Sequence, residues 1–227
     1  MMIIAENISR TFLRQSSKTN IFYAVTDASI EIAPGKIIEI IGKSGSGKST
    51  FLNMLAGLLT PSKGKVLFND QELYMLSEDK RAEIRNQYIG FIPQGQSAIN
   101  SLSVKENIEL PLLMYRKQPD EDYLNNLMQT LEIDRLKDIY PNELSGGELR
   151  RMAVARAMAI KPKVILADEP TGDLDDENTN RVLEMFKQAA LNGSAVLIVT
   201  HDRAVDKYAD EIYIMNNSHL TKSQISY

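Results

Sequence analysis

Residues 42–50, GKSGSGKST, have the types and spacing to hold the phosphates of a nucleotide. They fit G-x-x-x-x-G-K-S/T, follow the apolar run of residues 37–41, and lead into Phe51, Leu52, Leu55 and Leu58 at helical spacing. Strand, glycine loop and helix are the context such a loop needs. Gly45 and Gly47 keep the backbone bare, so that successive N–H groups converge on anionic oxygens, and the next helix adds its unpaired N–H groups and the positive end of its dipole. Gly42, Lys43, Ser44, Gly45, Ser46, Gly47, Lys48, Ser49 and Thr50 therefore form a cradle for a triphosphate. In it Lys48 reaches the β- and γ-phosphates and the Ser49 hydroxyl ligates Mg²⁺. Kinases, GTPases and transport ATPases share this loop, so the class must come from other residues.

Further chemistry-bearing residues sit where strands end. KVILADEP, residues 163–170, reads as a buried strand closing on two acids: Asp168 to hold Mg²⁺, directly or through water, and Glu169 to orient or deprotonate the attacking water. Gln94, just beyond YIGFIP, offers an amide oxygen to the metal or to that water. His201 ends SAVLIVT, at the strand end where ligands gather in open α/β sheets, and its imidazole can hydrogen-bond a γ-phosphate. Phe12, Phe22 and Tyr23 are flat faces on which adenine can stack, and Phe12 is the choice among them. In LSGGE, residues 144–148, Ser145 and Glu148 form a capping box for the helix carrying Leu149, Met152, Ala153 and Ala157. The box does not account for Gly146 and Gly147, each weakening a first turn by up to ~1 kcal/mol against Ala. Bare backbone there suits the close approach of an anion or of another backbone.

The elements that position these residues are legible in outline. Residues 2–8, 24–32 and 37–41 read as short strands, with RTFLRQSSKTN between the first two an exposed hairpin or loop. The helix after the glycine loop is expected to end at Thr60-Pro61-Ser62, and KVLFNDQEL to make two short strands about Asn69-Asp70. Ser77-Glu78-Asp79 opens a polar helix, VKENIELPLL is a helix interrupted at Pro111, and Leu124, Leu127, Met128 and Leu131 mark another after an acidic start. No strand pattern appears again until Lys163, so residues 96–160 read as a helical insertion in an α/β core formed by residues 1–95 and 161–227. Residues 171–175, TGDLD, make a tight polar turn into a helix with Val182, Leu183 and Phe186, and EIYIMNNSHLTK is a last hairpin turning at Asn216-Asn217.

The 227 residues suit one α/β domain with an insertion. A net charge of −4 supplies no field for DNA, RNA or an anionic membrane, so nucleic acid is not an expected partner. The absence of cysteine excludes disulfides and thiolate metal sites. The first residues, MMIIAENISR, lack the pattern of a signal peptide, and no apolar run approaches the ~18–20 residues that span a bilayer. Work at a membrane would thus require a separate integral protein.

GKSGSGKST, Gln94, LSGGE, ILADE, TGDLD and His201, in this order along essentially the whole chain, resemble the ATP-binding cassette of an ABC transporter. The resemblance implies a P-loop core with an antiparallel β subdomain and an inserted α-helical subdomain. It also implies ATP and Mg²⁺ as cofactors and a pair of cassettes head to tail, the P-loop of each facing Ser145, Gly146, Gly147 and Glu148 of the other. Asp168 and Gln94 would then ligate metal, Glu169 would be the general base, Gln94 and His201 would sense the γ-phosphate, and residues 173–175 would form the turn between subunits. The chain departs from the family pattern at Glu148, where Gln is usual, at Asp173, where Asn is usual in the nearest subfamily, and at Pro93, where an aromatic is common. ENIELPLL and the TG-x-LD turn are most similar to the lipoprotein-release and macrolide-export ATPases. These imply a bacterial subunit on the cytoplasmic face of the membrane, driving a permease-type integral protein. A non-transporting signalling complex of the cell-division type and a soluble ABC ATPase are the alternatives.

Overall fold

Ala28, Ile30 and Ile32 are buried at period two, the signature of a sheet with one face on a core, and Ile3, Ala5 and Ile8 are buried along the segment before them, the step from Ala5 to Ile8 lengthened by an irregularity at Asn7, φ 49. In the computed structural model, which describes residues 1–13 and 21–223, these are β1 (Ile3–Leu13) and β2 (Ile21–Ile32). Then come β3 (Ile37–Ile41), α1 (Lys48–Leu55), β4 (Lys63–Phe68), β5 (Gln71–Glu72), α2 (Glu78–Tyr88) and β6 (Ile89–Ile92). The helical stretch holds α3 (Val104–Met114), α4 (Glu121–Thr130) and α5 (Gly146–Met158). The chain closes with β7 (Val164–Asp168), α6 (Asp176–Leu191), β8 (Ala195–Thr200), β9 (Glu211–Asn216) and β10 (His219–Lys222).

Two sheets result. One is antiparallel, in the order β2-β1-β4-β5; the other runs β10-β9-β3-β8-β7-β6, parallel except for β10 against β9. The larger sheet divides the apolar interior. Ile38, Ile40, Leu166 and Leu197 face α1 and the antiparallel sheet, while Ile37, Ile165, Val196 and Ile198 face the helices α3 to α6. Burial on both faces explains why β7 and β8 read as unbroken apolar runs. Register then sets the site: β8 lies between β3 and β7, with Ile41 opposite Thr200 and Asp168 opposite Val199. The residues after β3, β7 and β8 therefore emerge along one edge.

Four local expectations change. β1 and β2 extend further, because Arg10, Thr11 and Phe12 pair with Val25, Tyr23 and Phe22; residues 14–20 of the expected loop lie outside the described residues. Helix α1 stops at Leu55, since Gly57 adopts φ 71, a left-handed conformation that ends a helix, and Leu58 is exposed. Pro111 does not interrupt α3: the helix runs to Met114, its last turn held by buried Leu112 and by a hydrogen bond from Asn86 Nδ2 to the Pro111 carbonyl. The last hairpin turns one residue later, at Asn217-Ser218 with φ 46 and 67, because Asn216 still pairs with His219.

Candidate functional site

The loop after β3 bends through two left-handed glycines, Gly45 at φ 77 and Gly47 at φ 109. They are needed for different reasons. A Cβ on Gly45 would meet nothing within 4 Å, so its conformation alone demands glycine. A Cβ on Gly47 would sit 2.0 Å from the Ala24 carbonyl oxygen of β2, so there the antiparallel sheet's own backbone occupies the space. Lys48 is buried at the start of α1 and its ammonium donates to the carbonyls of Gly42 at 2.6 Å and Lys43 at 3.1 Å, which folds the loop around the cation.

This loop forms one wall of a cleft of about 730 Å³ that also takes in Phe22, Ala24, Ser49, Thr50, Gln94, Asp168, Glu169 and His201. Asp168, at the end of β7, is buried; burial lifts its carboxyl above the ordinary range, a hydrogen bond with Ser49 opposes the shift, the Glu169 charge adds to it, and Lys48 and Arg150 oppose it. A hydroxyl, a carboxylate and an amide oxygen from Ser49, Asp168 and Gln94 are hard oxygen donors, the set that suits Mg²⁺ alongside phosphate oxygens and water.

Glu169 takes up φ 51, a strained left-handed value for a residue with a side chain. Its N–H donates to the Val199 carbonyl at 2.7 Å, Thr200 Oγ1 donates to Oε2 at 2.8 Å, and His201 Nδ1 lies 2.8 Å from Oε1. The carboxylate is thus aimed by both residues at the end of β8. The His201 side chain is 81% exposed, and its Nε2 makes no hydrogen bond among the described residues. Behind it, Asp202 accepts from Thr171 Oγ1 at 2.8 Å and from the Ala204 N–H at 2.9 Å, which fixes the segment after the strand. Thr171, which opens the TGDLD turn, and Thr200, which ends SAVLIVT, are both buried and were given no role in the site from sequence; their signal was position, one at each side of the β7 and β8 ends.

Phe12 does not line the cleft. Phe22 does, and the two are antiparallel partners, which puts both rings on one face of the β1–β2 hairpin. The Arg10 guanidinium stands 4.8 Å from the Phe12 ring centre. Ser145, Gly146, Gly147 and Glu148 also lie outside the cleft, at the start of α5. The capping box is complete: Ser145 Oγ accepts from the Glu148 N–H, and Glu148 Oε2 accepts from the Ser145 N–H at 2.8 Å and from its hydroxyl, which holds the Glu148 carboxyl below its usual range. The close approach inferred for the paired glycines already exists within the chain. A Cβ on Gly147 would lie 3.1 Å from the Asp173 carbonyl oxygen, and one on Gly146 would lie 3.6 Å from the Asp173 side chain. Asp173 itself has φ 65. Ser145 and Gly146 remain exposed beside this turn.

A second groove, of about 800 Å³ between α4 and α6, contains none of the candidate residues. Among the described residues no helix is long and apolar enough to cross a membrane.

Residues 25–172 match the protein family described as ABC transporter. Over 99% of both chains, the protein is 31% identical to the ATP-binding cassette MJ0796 in a dimeric post-hydrolysis structure bound to ADP and Pi, with a TM-score of 0.89. A second dimeric structure of MJ0796, described as a bacterial ABC transporter cassette, is matched at the same identity and coverage with a TM-score of 0.90. The ATP-binding subunit of another ABC transporter, 22% identical over 98% of this chain and 90% of that one with a TM-score of 0.84, shares the fold.

Proposed function

The chain belongs to the ABC transporter family of ATP-binding cassettes, and from that premise we propose that it is an ATPase subunit that pairs with a second copy of itself on binding ATP and drives a separate integral membrane protein. The observation that carries the ATPase reading is the convergence of four strand or loop ends on one cleft: the phosphate loop, Asp168 with Ser49, Gln94, and a Glu169 carboxylate held from both sides by Thr200 and His201. In this reading the loop N–H groups and Lys48 hold the triphosphate, Phe12 or Phe22 carries adenine, and Ser49, Asp168 and Gln94 hold Mg²⁺. The metal, when bound, neutralises charge on the phosphate oxygens. Glu169 accepts the proton of a water lined up against the γ-phosphorus, while His201, its Nδ1 2.8 Å from that carboxylate, stands beside the γ-phosphate position.

Pairing is supported by what one chain leaves undone. Ser145 and Gly146 are exposed and outside the cleft, so they meet a nucleotide only across an interface, and MJ0796 is dimeric in both structures. We assign to the membrane partner the groove of about 320 Å³ between α2, α3 and α5, beside exposed Leu113 and Met114. Its lining residue Arg156 also donates to Ser97, three residues beyond Gln94, so pressure there reaches the site. We place the protein at the cytoplasmic face of the membrane, in the export or lipoprotein-release class.

Glu169→Gln tests the core of this reading. The variant is expected to bind ATP with near-unchanged affinity, to lose at least 100-fold in turnover, and to form a dimer in ATP by analytical ultracentrifugation. Turnover near wild type would overturn the assignment of the base. Because the chain has no cysteine, Met114→Cys in the Glu169→Gln background gives a single cross-linking site. Capture of an integral protein from native membranes supports the transport class. An ATP-dependent dimer with no membrane protein attached would favour a soluble ABC ATPase.

A further inference from the structure

Two arginines of α5 reach to the loop that carries Gln94. Arg150 Nη1 donates to the Pro93 carbonyl at 2.9 Å, and Arg156 Nη1 donates to the Ser97 carbonyl at 2.8 Å while its Nη2 donates to the Ser97 hydroxyl. Gln94 therefore sits in a short loop anchored at both ends on the helix that begins with Gly146 and Gly147.

The two anchors differ in their surroundings. Burial alone depresses the basicity of Arg156. Arg150 is 7% exposed and burial again lowers it, but the charges of Asp173, Asp168 and Glu169 oppose that shift. A neutral amide would meet the Pro93 hydrogen bond without the desolvation of a guanidinium, so the hydrogen bond is not sufficient reason for a buried cation. Position supplies the rest. Arg150 lies four residues after Gly146 and three after Gly147, hence on the helix face over which the Asp173 turn is packed.

We propose that Arg150 is a positioning residue for hydrolysis: a buried cation on α5 that ties down the Gln94 loop through Pro93 and balances the charges of Asp168, Glu169 and Asp173. Helix, loop, turn and catalytic acids then move as one body. The proposal rests on the ATPase reading above and adds to it a residue outside the P-loop, the strand-end acids and the paired glycines.

The test uses the full chain with Arg150→Met, Arg150→Gln and Arg150→Lys, measuring kcat and KM for ATP, affinity for a fluorescent ATP analogue with Mg²⁺, and Tm. Arg150→Met is expected to lose at least tenfold in kcat with nucleotide affinity within threefold of wild type. Arg150→Lys, which keeps the charge, should retain more activity than Arg150→Gln, which keeps only a donor. Adding Asp173→Asn to Arg150→Met should recover part of the lost kcat, because it removes an acid left without its counter-charge. A kcat loss under tenfold, a proportional loss of affinity, or Gln as active as Lys would overturn the proposal. If Arg150→Met does not fold, the Gln and Lys variants carry the comparison by themselves. A wild-type chain that hydrolyses ATP while Glu169→Gln does not would leave the site reading standing, so that a negative result would fall on Arg150 alone.

Discussion

Replacing Glu39 by Gln should stabilise the protein, and increasingly so as pH rises. Glu39 is at the middle of β3, 0% exposed, on the sheet face turned toward the segment after His201, and its carboxyl faces that of Asp206, an acceptor with which it bonds only when one of the two holds a proton. Burial pushes its carboxyl from 4.5 up to about 8; Asp206 adds to the shift by charge and by the proton the two acids can share, Asp202 adds less, and Arg203 opposes it. The folded protein therefore holds a proton on Glu39 that the unfolded chain releases near pH 4.5. Its contribution is fully present below that pH and is lost as pH climbs through the folded value of about 8. At about 1.4 kcal/mol per pH unit the rigid limit approaches ~5 kcal/mol by pH 8, and relaxation of the segment carrying Asp206 reduces this to roughly 2–3 kcal/mol. Glutamine has the same shape, is neutral throughout and can donate to Asp206. Urea or thermal unfolding of both proteins from pH 5 to 8.5 should give coincident stabilities at the acid end and a gap that widens to roughly 5–10 °C in Tm near pH 8. Carboxylates such as Glu148 and Asp175, held below their usual range by capping hydrogen bonds, weaken both proteins equally in acid and cancel in the difference. Parallel curves, or a Glu39→Gln protein less stable than wild type at pH 8, would refute a buried, protonated Glu39.

The two loop glycines should part company on substitution. Gly47→Ala drives a Cβ to 2.0 Å from the Ala24 oxygen at φ 109 and should cost more than ~3 kcal/mol, whereas Gly45→Ala meets only the φ 77 penalty, ~1–2 kcal/mol, and unfolding curves compare them directly. For the adenine platform, Phe12→Ala and Phe22→Ala should raise KM for ATP with little change in kcat. Stacking on one ring is worth ~1–3 kcal/mol, so the ring in contact should account for an effect of about fivefold or more and its neighbour for a small one.

Contiguous sequence determined whatever depends on neighbours in the chain. The phosphate loop, the Ser145–Glu148 capping box, the buried β7 and β8 runs and the position of Asp168, Glu169 and His201 at strand ends all follow from spacing, because helix caps, turns and strand alternation are fixed within a few residues. Element ends were less legible: Gly57 ends α1 earlier than Pro61 suggested, and Leu112 with Asn86 carries α3 past Pro111. Tertiary structure alone decided the rest. That Gly47 is required by β2, that Phe22 rather than Phe12 lines the cleft, that Asp173 rests on Gly146 and Gly147, and that Arg150 reaches the Pro93 carbonyl within the field of three acids depend on segments far apart in the chain. Glu39 shows the reason most plainly: an acid in a strand reads as one polar residue in an apolar run, but its charge state depends on which groups the fold packs against it.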